Sequence, residues 1–187
     1  MPTTLITGAN KGLGFETARQ LAAAGHTVYI GSRNDVRGQA AATELGVRAI
    51  QIDVTDDASV DAAARTIDAA GGLDVLVNCA GIEERTPDGG LLGAADLTSV
   101  DRPEYAYAGV AYPASKTALN MLTVQYAKAF PSIRVNSVDP GFTATDLNRH
   151  TGTQTVEEGA EIIVRMAQVG PDGPTGGYFS AAGPLPW

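Results

Sequence analysis

Tyr112-Pro113-Ala114-Ser115-Lys116 sets a phenol and an ammonium group four residues apart, at the start of a long helical pattern. That separation is close to one helical turn, so both side chains leave the same face. Such a pair suits proton transfer at a carbonyl oxygen. Tyrosine has a reference pKa of about 10, and lowering it by about three units takes about 4 kcal/mol of preferential stabilisation of the phenolate. One positive charge about 4 Å away supplies roughly that amount at an effective dielectric near 20. Taken alone, the same spacing also describes an ordinary surface turn with a snorkelling lysine.

The second chemical signal is Thr7-Gly8-Ala9-Asn10-Lys11-Gly12-Leu13-Gly14, which follows an apolar run directly. A glycine-rich turn between strand and helix presents unpaired N–H groups and a partial positive charge, and so attracts phosphate. Gly8 allows a sharp exit from the strand. Gly12 and Gly14 let backbone approach a pyrophosphate and let helix pack close on strand. Asn10, Lys11 and Leu13 complete this candidate cofactor-binding turn. Its Gly-x-x-x-Gly-x-Gly spacing differs from the commoner Gly-x-Gly-x-x-Gly, and a plain tight connection would read the same way. Its place after the first strand is what points to a dinucleotide. The second strand ends Gly31-Ser32-Arg33-Asn34, with no carboxylate there to hold a free ribose 2′-hydroxyl. Arginine suits a 2′-phosphate, and Lys11 adds positive charge, so NADP is favoured over NAD. A nucleotide site and an acid–base site on one chain suggest hydride transfer.

Elements that could position these groups alternate along the chain. Strands are expected at Thr4–Ile6, Thr27–Ile30, Arg48–Ile52 and Leu73–Asn78. Helices are expected from about Gly14 to the Gly25 stop, over Val36–Leu45, and from Asp56-Asp57 to Gly71-Gly72. Residues 82–111 carry no convincing helix. Order resumes with a helix over Tyr112–Phe130, a strand over Ile133–Val138, a helix opened by the capping box Thr155–Glu158, and a last strand at Gly177–Phe179. This rhythm predicts an α/β fold, a Rossmann-like doubly wound parallel sheet in three α/β/α layers, shortened in the middle.

These motifs resemble the short-chain dehydrogenase/reductase family, and in particular its small carbonyl-reductase-like members, over most of the chain. Asn78-Cys79-Ala80-Gly81 is similar to the family's Asn-Asn-Ala-Gly after strand four, Asp53-Val54 to its adenine contact, and Asp139-Pro140-Gly141 with Thr143 to its turn beside the nicotinamide. The resemblance implies cofactor-binding roles for Asp53, Val54, Asn78, Ala80, Gly81, Pro140, Gly141 and Thr143. It also implies that Tyr112 is the acid/base and that Lys116 holds the nicotinamide ribose as well as tuning Tyr112.

The chain departs from the family between Gly81 and Tyr112, where a helix and its relay asparagine are missing. Two alignments of this stretch stay open. In one, Ser99 stands for the serine that positions the substrate oxygen. In the other, Asp88-Gly89 occupies that place and the serine is lost.

A length of 187 residues suits one domain, here residues 1–187 as a single NAD(P)-binding unit. The formal charge of −8 argues against nucleic acid or an anionic membrane as partner. One cysteine, an N-terminus that enters a strand at once, and no membrane-length apolar run lead to the expectation of a cytoplasmic protein. His26 and His150 lack metal-ligand spacing and are expected at the surface, so no metal is expected. The leading reading is an NADP-dependent enzyme acting on a small carbonyl or alcohol substrate, with a homo-oligomer among the arrangements it allows. The alternatives are a catalytically impaired nucleotide-binding module and a partner subunit of the same fold.

Overall fold

The computed structural model describes residues 1–81 and 111–187. Ser99 and Asp88-Gly89 lie outside the described residues. Two compact units emerge, one formed by Met1–Gly81 with Pro140–Gln168, the other including 111–139 and Val169–Trp187.

The first unit holds β1 (Thr3–Thr7), α1 (Gly12–Ala23), β2 (Thr27–Ser32), α2 (Asp35–Leu45), β3 (Arg48–Gln51), α3 (Asp57–Ala69) and β4 (Val75–Asn78). The four strands form a parallel sheet in the order β3-β2-β1-β4. Side-chain alternation divides the core between two faces. Ile6, Val28 and Ile30 join Ala18 and Leu21 of α1 and Ala41 and Ala42 of α2. Leu5, Tyr29 and Ile50 turn the other way, toward Ala63 and Ile67 of α3. The same unit contains a 3-10 turn at Asp146–Asn148 and, after it, an amphipathic helix.

Helix ends follow local chemistry. The Asn34 side chain accepts from the Arg37 amide to start α2, and Gly46 closes that helix in the left-handed conformation. Asp56 accepts from the Ala58 amide at the start of α3.

The second unit contains α4 (Ala111–Ala129) and a small sheet of β5 (Ser137–Val138), β6 (Tyr178–Ser180) and β7 (Gly183–Leu185). The amphipathic helix of the first unit is α5 (Val156–Ala167), and it packs on α1, with Val164 and Ala167 against the first core cluster. Thr155 and Glu158 form the expected capping box. In the second unit, a buried hydrogen bond of 2.8 Å between the hydroxyls of Thr123 and Ser137 ties α4 to β5.

The strand expected over Ile133–Val138 pairs only at Ser137–Val138. Before it, backbone groups find other partners: the Val135 amide donates to Thr175 Oγ1, and Val135 O accepts from the Gly176 amide. The antiparallel β7 was not foreseen. Its Pro184 suits a sheet edge, where a missing N–H costs least.

Candidate functional site

The glycine turn is assembled from both neighbouring strands. Thr7, at the end of β1, is buried, and its hydroxyl oxygen accepts from the amides of Cys79 and Ala80, each at 3.1 Å. The Ala9 amide donates to Gly31 O of β2 at 3.1 Å. The Asn78–Gly81 motif is thereby stitched to the turn. Thr7→Val removes the acceptor of both bonds and should cost about 1–3 kcal/mol, read as a lowered urea midpoint.

Two glycines are required by space. Gly8 has φ +67°, and a Cβ built there would stand 2.7 Å from Ala80 Cα. At Gly14 a Cβ would meet Ala9 Cα and Gly8 O at 2.9 Å. Among the described residues no side chain caps the start of α1, and its first turn carries no acidic residue. The first-turn amides and the close-packed glycines therefore fit a pyrophosphate.

An open cleft of about 440 Å³ adjoins the turn, lined by Asn10, Lys11, Phe15, Arg37, Glu44 and Asp146 among others. Arg37 is a functional candidate that the sequence reading missed. The available signal was its place in the first turn of the helix after β2. Arg33 is exposed at the end of β2. Asp53 accepts from both the amide and the hydroxyl of Thr55, at 3.0 and 2.7 Å. Those bonds from Thr55, with a further contribution from Arg33, hold the Asp53 carboxyl below its usual pKa. Val54 beside it is half exposed, an apolar surface of the kind an adenine ring can cover.

The segment after Pro140-Gly141 is held by its own side chains. Thr143 is buried, donates toward Pro140 O and Gly141 O, and accepts from Gln154 Nε2 at 2.8 Å. Its hydroxyl serves the loop. Thr145, not singled out from sequence, has its methyl 3.8 Å from a Cβ built on Gly12 and so flanks the glycine turn. Next to it, Asp146 Oδ2 lies 2.7 Å from Lys11 Nζ, and Oδ1 lies 2.9 Å from His150 Nε2. Lys11 first, with His150 adding to it, holds the Asp146 carboxyl below the ordinary range.

In the second unit Tyr112 and Lys116 share one face of α4, with Lys116 Nζ 5.1 Å from the Tyr112 ring centroid. That places the lysine side chain over the tyrosine ring. Among the described residues no group of three or more His, Cys, Asp or Glu side chains could hold a metal ion, and no helix is long and apolar enough to cross a membrane. His26, expected at the surface, is partly buried with Nδ1 2.8 Å from Thr4 Oγ1.

The model of the short chain dehydrogenase family matches residues 2–96 and 95–156. A short-chain dehydrogenase of Penicillium roqueforti is 30% identical over 225 residues, covering 90% of this chain and 89% of the relative. That aligned length exceeds the 187 residues of the chain, so the relative carries residues this chain lacks. The (+)-neomenthol dehydrogenase of Arabidopsis thaliana is 28% identical over 280 residues, covering 94% of this chain and 95% of that one. The structure of salutaridine reductase from Papaver somniferum shares the fold with a TM-score of 0.81 at 23% identity, over 97% of this chain and 100% of that one. The chain belongs to the short-chain dehydrogenase family, and it is an oxidoreductase of that family with a Rossmann-like fold.

Proposed function

We propose that this oxidoreductase uses NADP to interconvert a small carbonyl compound and the corresponding alcohol. The observation that carries the reading is the Tyr112–Lys116 pair on α4, with the lysine Nζ 5.1 Å from the centroid of the phenol ring. Gly8, Gly12 and Gly14 would receive the pyrophosphate at the start of α1, with Asn10 and Leu13 completing that turn. Asp53 and Val54 would meet the adenine, and Lys11, Arg33 and Arg37 would meet the 2′-phosphate. Asn78, Ala80, Gly81, Pro140, Gly141 and Thr143 are retained as family-implied cofactor contacts, and Thr145 joins them through its place beside Gly12.

When bound, the nicotinamide supplies or accepts the hydride. Tyr112 gives its phenolic proton to the substrate oxygen in reduction and takes it back in oxidation. Lys116 keeps the phenolate accessible and holds the ribose. Ser99 is the candidate for orienting the substrate oxygen. Relatives named as a dehydrogenase and a reductase accord with chemistry in either direction. In this reading residues 1–187 act as one nucleotide-binding domain in the cytoplasm, as a monomer or a homo-oligomer.

Titration with NADPH and NADH, followed by turnover on a panel of aldehydes, ketones and quinones, tests the proposal. NADPH is expected to bind more tightly and to support turnover. Tight NADPH binding without turnover on any member would favour a nucleotide-binding module instead. Arg33→Ala should weaken NADPH by about tenfold, the loss of one charge-assisted contact, and leave NADH within about twofold. An equal loss for both cofactors would remove Arg33 from 2′-phosphate recognition.

A further inference from the structure

We propose that Asp146 is a specificity-determining residue of the nucleotide site: its carboxylate is the counter-charge that Lys11 exchanges for a ligand's 2′-phosphate. The proposal rests on the NADP reading above and adds a residue that opposes it. Lys11 and Asp146 are 135 positions apart in sequence, yet Nζ and Oδ2 meet at 2.7 Å. Both side chains line the cleft that also holds Arg37 and Glu44.

The carboxylate is brought there by a built turn. Asn148 Oδ1 accepts from the Thr145 amide at 3.1 Å, and Asn148 Nδ2 donates to Thr143 O at 2.8 Å. Arg149 and His150 both adopt left-handed backbone, φ 56° and 59°, which is uncommon outside glycine. That double reversal brings His150 back onto Oδ1 of Asp146 at 2.9 Å.

The Lys11 and Asp146 side chains are 63% and 56% exposed. An ion pair this exposed is worth little by itself, so Lys11 can leave it readily for a doubly charged phosphate. After the exchange, Asp146 stays in the cleft as a like charge near that phosphate. A ligand without the 2′-phosphate has no call on Lys11 and leaves the pair intact. Asp146 therefore lowers the preference for 2′-phosphorylated ligands.

The test is calorimetric titration of the full chain and of Asp146→Asn with NADP⁺, NAD⁺, adenosine 2′,5′-bisphosphate and AMP. The variant is expected to bind NADP⁺ and the bisphosphate about three- to tenfold more tightly, and NAD⁺ and AMP within about twofold of the unaltered chain. The gain should shrink with added salt and vanish in a Lys11→Met background. Equal changes for all four ligands, weaker binding of the 2′-phosphorylated pair, or a full gain without Lys11 would each overturn the proposal. NADP⁺ binding that ignores Asp146→Asn sinks this inference alone. An unaltered chain that binds NAD⁺ but not NADP⁺ sinks the cofactor reading, and this inference with it.

Discussion

Tyr112→Phe is expected to lower turnover by about 10²–10⁴-fold, the usual contribution of a positioned general acid or base. NADPH affinity should stay within a few-fold of the unaltered chain, because the substitution removes one hydroxyl and keeps the ring on its helix. Lys116 remains 5.1 Å from the ring position and still carries its charge, so the electrostatics of that face of α4 change little. The measurement is steady-state turnover on the carbonyl panel beside a direct NADPH titration. Unchanged turnover would take the proton-transfer role away from Tyr112. A parallel collapse of NADPH binding would instead mark the phenol as part of the cofactor site.

Gly8→Ala should be among the most damaging single substitutions in the first unit, destabilising it by about 2–5 kcal/mol. Two separable costs contribute. A side chain in left-handed backbone costs about 1–2 kcal/mol, and φ at Gly8 is +67°. Overpacking typically adds about 1–3 kcal/mol, and here the new Cβ would lie 2.7 Å from the backbone of Ala80. Gly25→Ala provides the comparison. Its φ is +90°, but nothing lies within 4 Å of a Cβ there, so it should show the backbone cost alone. Urea unfolding of the two variants reads the difference as a larger midpoint shift for Gly8→Ala. Equal shifts would mean that Ala80 moves aside freely. The glycine would then answer a conformational need only. Nucleotide binding should weaken in Gly8→Ala and hold in Gly25→Ala, since only the first disturbs the turn at the start of α1.

Much of the first unit was legible because its signals are short-ranged. Short apolar runs mark β1 and β2, and a parallel strand buried on both sides divides such a run between the two faces, Ile6 and Ile30 on one and Leu5 and Tyr29 on the other. Capping is local as well: Asp56 and the Thr155–Glu158 pair each act within a few residues of themselves. The glycine turn was readable for the same reason. Its place between strand and helix leaves few backbone conformations open.

The site itself was only partly legible. Thr143 and Thr145 are two residues apart in similar sequence, and nothing local says which hydroxyl the loop consumes. Gln154 decides that by donating to Thr143. Nothing in the sequence around Arg37 sets it apart from other charged residues of α2; the cleft brings it together with Lys11 and Asn10. The strand before Val138 failed to extend because Thr175 and Gly176, some forty residues later, take up the backbone groups of Val135.

From the order of its residues alone, this chain determined an α/β architecture, the glycine turn at the head of α1, and a tyrosine and lysine on one helix face. Those features depend on neighbours within one turn or one strand, where spacing is geometry. Folding in three dimensions decided that Lys11 meets Asp146, that Arg37 shares their cleft, and that Thr145 flanks Gly12. Such contacts join residues far apart along the backbone, and only chain closure makes them neighbours.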